Sequence, residues 1–124
     1  MADFPSLEFW EGLQKRCNTL EEFQKATDWS DVNLVLAVDD QRYWLKLYRG
    51  KILDLMAYEP LSNALGYDVL VSGDTDAWRD LVNGTVKFWE PLSQGRITID
   101  GNLLEANRMH EALCIIADNL QEVG

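Results

Sequence analysis

Residues 67–101 read YDVLVSGDTDAWRDLVNGTVKFWEPLSQGRITIDG, and this stretch decides the fold that the sequence predicts. It begins with apolar and polar side chains that alternate with the period of a half-buried strand. Asp74 or Thr75 can then cap a helix whose apolar stripe contains Trp78, Leu81 and Val82. Asn83-Gly84, directly after that stripe, is typical of a helix end. The stretch therefore predicts a strand followed by a short helix that packs on the sheet.

The second part of the stretch predicts an apolar segment and a further strand. The segment carries Val86, Phe88, Trp89 and Leu92. Pro91 limits helix formation among these residues, because proline lacks a backbone N–H. Residues 96–100 alternate again, with two isoleucines on one face, and Gly101 closes the strand.

The chain before this stretch predicts two short helices and three strands. Ser6 is a candidate cap for the first helix, and Thr19 with Glu22 forms a capping box for a second helix that extends to about residue 27. Residues 31–38, 43–48 and 52–58 alternate with a period of two and are joined by short turns, so they predict an antiparallel meander. Residues 61–66 are the crossover to the fourth strand.

The chain after the stretch predicts one long helix. Asn102 is a candidate cap with Glu105 at the third helical position, and the apolar stripe continues to Leu120. We therefore expect an α+β fold in a single domain, residues 1–124. Its five-stranded, mostly antiparallel sheet has helices packed on one face, in the order ααβββ-βαβα.

The composition excludes several classes of partner. Eleven Lys and Arg residues stand against 21 Asp and Glu residues, which gives a formal charge of −10. Because polyanion binding depends on cationic side chains, nucleic acid is not an expected partner, and neither is a polybasic membrane anchor. The sequence has no secretory signal and no apolar run long enough to span a membrane. We expect a cytoplasmic protein without stable membrane insertion.

Residues that could perform catalysis are sparse. Cys17 and Cys114 belong to no CxxC unit and are expected to be reduced thiols. His110 is the only histidine, and the sequence places no cysteine or serine motif beside it. The pairs Asp39-Asp40 and Asp74-Thr75-Asp76 fit turn and cap chemistry better than metal binding. We therefore expect no enzyme activity, no metal and no cofactor.

Three stretches of the second half resemble the sterol carrier protein type 2 domain family. They are YDVLVS at residues 67–72, WRDLVNG at residues 78–84 and PLSQGRITIDGN at residues 91–102. In that family a strand leads into a helix that ends at glycine, and a GxIxIxG strand leads into the last helix. Residues 104–113, LEANRMHEAL, continue the likeness, whereas the first half matches only in the pattern of the meander.

The resemblance implies an apolar tunnel between sheet and helices that binds a fatty acid, an acyl thioester, a sterol or an isoprenoid lipid. Each buried methylene contributes about 0.8 kcal/mol, so such a tunnel can hold an acyl tail without polar contacts. The implied floor consists of Leu34, Leu36, Leu45 and Leu47. The other implied lining residues are Trp78, Leu81, Val82, Val86, Phe88, Trp89, Leu92, Met109, Leu113 and Ile116.

Two alternatives remain open at this point. The aromatic and aliphatic stripes can simply fill the interior, because native cores leave few voids. In that case Val35, Trp44 and Tyr48, on the sheet face away from the helices, predict a docking surface for a protein partner or a second copy if that face is uncovered. A small α+β enzyme shares the composition, but the sequence offers it no acid–base pair.

Overall fold

The computed structural model describes Phe4, residues 6–58 and residues 67–123. Its helices and strands, numbered in chain order, are α1 Leu7–Cys17, α2 Glu21–Ala26, β1 Asp31–Val38, β2 Gln41–Tyr48, β3 Lys51–Ala57, β4 Val69–Gly73, α3 Thr75–Val82, α4 Trp89–Ser93, β5 Ile97–Gly101, α5 Leu103–Arg108 and α6 His110–Val123. The sheet order is β3-β2-β1-β4-β5. Only the β1–β4 pair is parallel, so the prediction of a mostly antiparallel five-stranded sheet is confirmed. The predicted crossover at residues 61–66 lies outside the described residues.

One face of the sheet carries the main core. Alternation in β1 directs Val32, Leu34, Leu36 and Val38 to this face, where they are fully or almost fully buried. Side chains of α1, α3 and α6 pack on them in one continuous apolar cluster. Helices on a single face of a mostly antiparallel sheet are what the sequence predicted.

Helix α3 is fixed to the sheet at its first turn. Asp74 caps it and accepts a hydrogen bond from the Ala77 backbone N–H at 2.7 Å. Asp39, in the β1–β2 turn, accepts from the Thr75 backbone N–H at 3.0 Å and from its hydroxyl. These two bonds hold the pKa of the Asp39 carboxyl below its ordinary value. Both aspartates thus act in turn and cap chemistry, as predicted.

Helix α1 covers the start of edge strand β3. The side-chain amides of Gln14 and Asn18 both donate to the Ile52 carbonyl, and the Asn18 side-chain oxygen accepts from the Ile52 N–H at 2.8 Å. The β2–β3 register shifts here, since Leu47 pairs with Ile52 whereas Lys46 pairs with Asp54. This bulge and the α1 side chains interrupt the β3 edge, which would otherwise be free to pair with another strand.

Three local predictions differ from the structure. Thr19 does not cap α2, because its hydroxyl donates to the Arg16 carbonyl at 2.7 Å and the helix begins without a side-chain cap. Pro91 does not prevent a helix in the apolar segment, since it is the third residue of α4, where no N–H is needed by the helix. The predicted last helix is divided into α5 and α6 at Met109, although Asn102 caps its start as expected.

Gly101 and Gly95 flank β5, and both have a positive φ, at 107° and 75°. A Cβ atom at Gly101 would lie 2.3 Å from the carbonyl oxygen of Asp68, the residue directly before β4. A Cβ atom at Gly95 would have no neighbour within 4 Å. Alanine substitutions at the two glycines therefore distinguish the free-energy cost of backbone strain from that of a steric clash.

We expect Gly95→Ala to lower the free energy of unfolding by about 1 kcal/mol, which is the strain of the left-handed region alone. Gly101→Ala adds a clash with rigid backbone and should cost more than about 3 kcal/mol or prevent folding. Urea unfolding followed by tryptophan fluorescence measures both. Equal losses in the two variants would contradict the close β4–β5 approach.

Burial raises the pKa of the Cys17 thiol to about 12, against about 8.5 for a thiol in an unfolded chain. The folded protein therefore holds this proton more tightly, so the contribution to stability is complete below about pH 8.5 and falls as the pH rises toward 12. We expect the free energy of unfolding to fall more steeply with pH in the wild type than in Cys17→Ala, by at most about 1.4 kcal/mol per pH unit. Urea unfolding between about pH 8 and pH 11 measures this difference. If the free energy of unfolding changed equally with pH in the wild type and in Cys17→Ala, the raised pKa of Cys17 would be refuted.

Candidate functional site

The structure brings most of the implied tunnel residues into one apolar cluster. Ten of them are buried in it: Leu34, Leu36, Leu45, Leu47, Trp78, Leu81, Phe88, Met109, Leu113 and Ile116. Three more, Val82, Val86 and Leu92, are half-buried and pack against it. Residues far apart in the chain therefore converge between the sheet and helices α3 and α6.

Trp89 is the exception, with 64% of its surface exposed. Helix α4 turns Phe88, Pro91 and Leu92 inward, at the spacing i, i+3 and i+4. Trp89 directly follows Phe88 in the chain, so its side chain points away from this stripe and faces solvent. The same spacing is visible in the sequence, but the expectation that Pro91 limits helix formation drew attention away from it.

The cluster is closely packed on the side of α3 and α6. A recess between the two helices, bounded by Leu81, Val86 and Ala117 among others, has a volume of about 20 Å³. That volume is close to the smallest that holds one water molecule. An acyl tail at this position therefore requires the surrounding helices to move.

Helix α5 is the element with the smallest apolar anchor. It has six residues, and its buried member is Ala106. Leu103 and Leu104 in its first turn are 73% and 66% exposed. The break at Met109 separates α5 from α6, so α5 can change position without breaking a continuous helix.

A second, larger recess lies at the end of the β1–β2 hairpin. Its volume is about 260 Å³, and it is lined by Asp40, Gln41, Arg42, Tyr43, Ala57 and Tyr58. The Tyr43 hydroxyl donates to the Gln41 side-chain oxygen at 2.7 Å. Burial raises the pKa of Tyr43, so this phenol stays protonated and keeps its hydrogen bond to Gln41.

Tyr43 also belongs to the main core, where it begins a row of aromatic rings. The Trp10 ring centre lies 5.6 Å from that of Tyr43 and 5.9 Å from that of Trp78. Trp10 is fully buried, and no acceptor for its indole N–H exists among the described residues. Trp10 and Tyr43 were not predicted as site residues. The only sequence signal was that Trp10 follows Phe9, which forms an apolar stripe of α1 with Leu13 and Cys17.

The face away from the helices is not an exposed aromatic patch. Val35 and Trp44 are only 0% and 6% exposed, and with Tyr58 they form a second buried cluster. Tyr48 is half-buried, and the Arg49 guanidinium stacks 5.5 Å from its ring centre. The uncovered face on which the protein-docking alternative depends is therefore not present at Val35 and Trp44.

Helix α6 contains a contact that the sequence analysis missed. The His110 side-chain Nε2 lies 3.8 Å from Cys114 Sγ, and the i, i+4 spacing could have revealed this pair. Burial, followed by the charges of Asp118 and Glu111, raises the pKa of the Cys114 thiol. Activated cysteines need the opposite shift, so the pair lacks the character of a nucleophile and its base.

Neither metal ligation nor membrane spanning has a structural basis in the described ranges. Within Phe4, residues 6–58 and residues 67–123, no three His, Cys, Asp or Glu side chains are grouped to hold a metal ion. Among the helices of the same ranges, none is long and apolar enough to cross a membrane.

Known proteins resemble this chain in structure but not detectably in sequence. No family model matches this sequence, and no curated protein matches it significantly. A crystal structure of sterol carrier protein 2 has a TM-score of 0.82 at 18% identity, covering 98% of this chain and 100% of that chain. A conserved hypothetical protein from Thermus thermophilus, solved in solution, has a TM-score of 0.70 at 18% identity, with 95% and 90% covered.

Sterol carrier protein domain 2 of Helicoverpa armigera is a further structural neighbour. Its TM-score is 0.65 at 16% identity, and the alignment covers 96% of this chain and 95% of that chain. These TM-scores establish a shared fold, and identities this low leave the ligand open. With its order of elements, its mixed sheet and its one-sided helices, this chain has the sterol carrier protein 2 fold.

Proposed function

We propose that this protein binds one hydrophobic ligand noncovalently between the sheet and the helices, without changing it chemically. The observation that carries the proposal is the convergence of the implied tunnel residues into one apolar cluster, described above. The names of the structural neighbours support the same class of ligand, since they are sterol carrier proteins. A fatty acid, an acyl thioester, a sterol or an isoprenoid lipid fits such an interior. A cytoplasmic location stays a prediction.

A ligand in the narrow recess between α3 and α6 requires the helices around it to move. Helix α5 is shorter than helices that are stable alone, and its buried anchor is a single alanine side chain. Burying ten methylenes of a tail contributes about 8 kcal/mol, which is enough to offset the loss of a few α5 contacts. We therefore propose that α5 moves away from β4 and β5 when the tail enters.

The protein-docking alternative is weaker on this structure. It needs an uncovered aromatic surface, and Trp44 is 6% exposed. Catalysis is the weakest of the three classes, because the raised pKa of Cys114 opposes nucleophilic chemistry at the one Cys–His contact recorded in the described ranges. Lipid binding thus remains the function that the site supports best.

Native mass spectrometry of freshly purified protein, followed by organic extraction, tests the proposal. We expect one lipid per chain, which is released on denaturation. A paired set of core variants then locates it. Leu113→Ala enlarges the proposed space, whereas Leu13→Ala removes the same side chain from a buried position of α1 that is not among the implied lining residues. Each should cost about 2–5 kcal/mol of stability in the ligand-free form.

We expect Leu113→Ala, and not Leu13→Ala, to bind long acyl chains more tightly than the wild type does. The gain should reach about 0.8 kcal/mol for each further methylene that the cavity admits. Calorimetric titration with fatty acids of increasing length provides the measurement. A bare protein mass, together with no heat and no thermal shift for any fatty acid or sterol, would sink the proposal and favour a protein partner.

A further inference from the structure

Strand β5 forms an edge of the sheet that is open to a further strand. It is the last strand in the order β3-β2-β1-β4-β5 and pairs with β4 in one unbroken register. The opposite edge, β3, is interrupted by a bulge and by side chains of α1, as described above. Among the described residues no such interruption occurs at β5. A sheet edge of this kind can pair with a strand of another chain.

The hydrogen bonds between β4 and β5 determine which backbone groups of β5 face outward. The Asn102 N–H donates to the Asp68 carbonyl at 2.8 Å, in the same register as the strand pair. Hydrogen bonds to one neighbour recur at every second residue of an antiparallel strand, so the even-numbered residues of β5 bond to β4. The N–H and C=O groups of Ile97 and Ile99 therefore point toward the open edge. Within the described ranges these groups have no hydrogen-bond partner.

The sequence of β5 is complementary to itself when two copies run antiparallel. Residues 96–100 read RITID. When Thr98 lies opposite Thr98 of a second copy, Arg96 lies opposite Asp100. Ile97 then lies opposite Ile99 and forms the hydrogen-bonded pairs, which is what the outward-facing groups of both isoleucines require. The charged residues occupy the non-hydrogen-bonded pairs, where side chains are closest and opposite charges stabilise the contact.

Both charged side chains are accessible for this pairing. Asp100 is exposed and makes no ion pair within the described part of the chain. Arg96 donates to the Asp80 carboxylate at 2.8 Å, and 34% of its side-chain surface remains exposed. Because a guanidinium carries five N–H donors, Arg96 can contact Asp80 of its own chain and Asp100 of a second copy together.

Exposed apolar side chains flank β5 at both ends. Trp89 belongs to α4, shortly before the strand, and Leu103 and Leu104 belong to α5, directly after it. These three are the most exposed large apolar side chains of the described residues. Antiparallel pairing places the start of one β5 beside the end of the other, so α4 of each copy approaches α5 of the second. The pairing therefore gives this exposed apolar surface a partner.

We infer that two copies of this chain pair through β5, in an antiparallel register centred on Thr98, and form one sheet that is continuous across both copies. A second copy is the partner because the charge pattern of RITID is complementary to its own reverse. A two-fold axis at Thr98 makes the contact self-complementary and closed, so association stops at the dimer. The inference goes beyond the proposed function, and its surface is distinct from the sheet face that carries Val35 and Trp44.

Sedimentation equilibrium of variants with reversed charges tests the inference. The wild type should reach twice the mass of one chain as its concentration rises through the micromolar range. Asp100→Lys places two cations opposite each other at both ends of the contact and should weaken dimerisation at least about tenfold. Asp54→Lys is the matched control, because it makes the same change at an exposed position of the other edge strand. It should leave the dimer intact.

Mixing two variants tests the register by rescue. Arg96→Glu should also be monomeric, because two anions then lie opposite each other. An equimolar mixture of Arg96→Glu and Asp100→Lys restores opposite charges at every pair, so we expect it to form a heterodimer. Thermal unfolding of each variant alone establishes that it is folded before mixing.

A cysteine at the two-fold axis provides a readout that does not depend on charge. In a Cys114→Ser background, Thr98→Cys should form a disulfide between two chains on mild oxidation, since residues directly opposite in neighbouring strands lie within disulfide range. Ser72→Cys is the control, because Ser72 contacts Thr98 on the same sheet face but lies one strand farther from the axis. The two copies of Ser72 would be three strand spacings apart, about 14 Å, which is too far for a disulfide.

Four results overturn the inference. They are a wild type that stays monomeric, a dimer that responds equally to Asp100→Lys and Asp54→Lys, two folded variants that form no heterodimer, and equal cross-linking of Thr98→Cys and Ser72→Cys. None of them bears on the proposed ligand binding, because the open edge of β5 is not part of the implied lining.

Discussion

The hydrogen bond from the Trp78 indole to the Ala37 carbonyl, at 2.9 Å, is the constraint on which the rest of the structure depends. It joins α3 to the central strand β1 inside the core, where no water competes for either group. Losing it would leave a buried carbonyl without its donor, at a cost of about 1–3 kcal/mol. The position of α3 is therefore set by a directional bond in addition to apolar packing.

The neighbours of Trp78 follow from that position. A Cβ atom on Gly73 would approach the Trp78 indole nitrogen to 3.3 Å and an Ile97 side-chain carbon to 2.9 Å, so a side chain at the last residue of β4 would displace Ile97. On its other side Trp78 meets Trp10 edge to face, which aligns the aromatic row that ends at Tyr43. One tryptophan of α3 thus contacts α1, β1 and β4.

The sequence predicted what depends on neighbours in the chain. Alternation assigned the faces of β1 and β2, and Ser6, Asp74 and Asn102 all cap helices as their local patterns indicate. The resemblance in the second half correctly indicated the fold. The residues that it implied as lining lie in or against the main cluster, except Trp89. The resemblance predicted contacts between distant segments, which local patterns do not, because the spacing of its glycines and apolar residues depends on the close approach of β4 and β5.

The predictions that proved wrong have two causes. Some depend on contacts between segments far apart in the chain, and others on a choice between local hydrogen bonds of similar energy. Burial of Trp44 depends on the cluster that Val35 and Tyr58 form with it across the sheet, which alternation in one strand does not reveal. Thr19 bonds backward to Arg16 instead of forward to α2, and the two options differ little in energy. The Trp10 N–H could not be recognised as unpartnered from sequence, since its surroundings come from α1, β2 and α3 together.

The net charge of −10 does not exclude an acidic ligand, because charge acts locally in salt solution. At physiological ionic strength the Debye length is about 8 Å, so most of the 21 carboxylates contribute little at any one recess. What decides is the balance of the charged groups close to the ligand. The acidic surface instead repels anionic polymers, which bind by many weak contacts over a wide area. A chain of this charge can therefore reject nucleic acid and still bind a single acidic molecule.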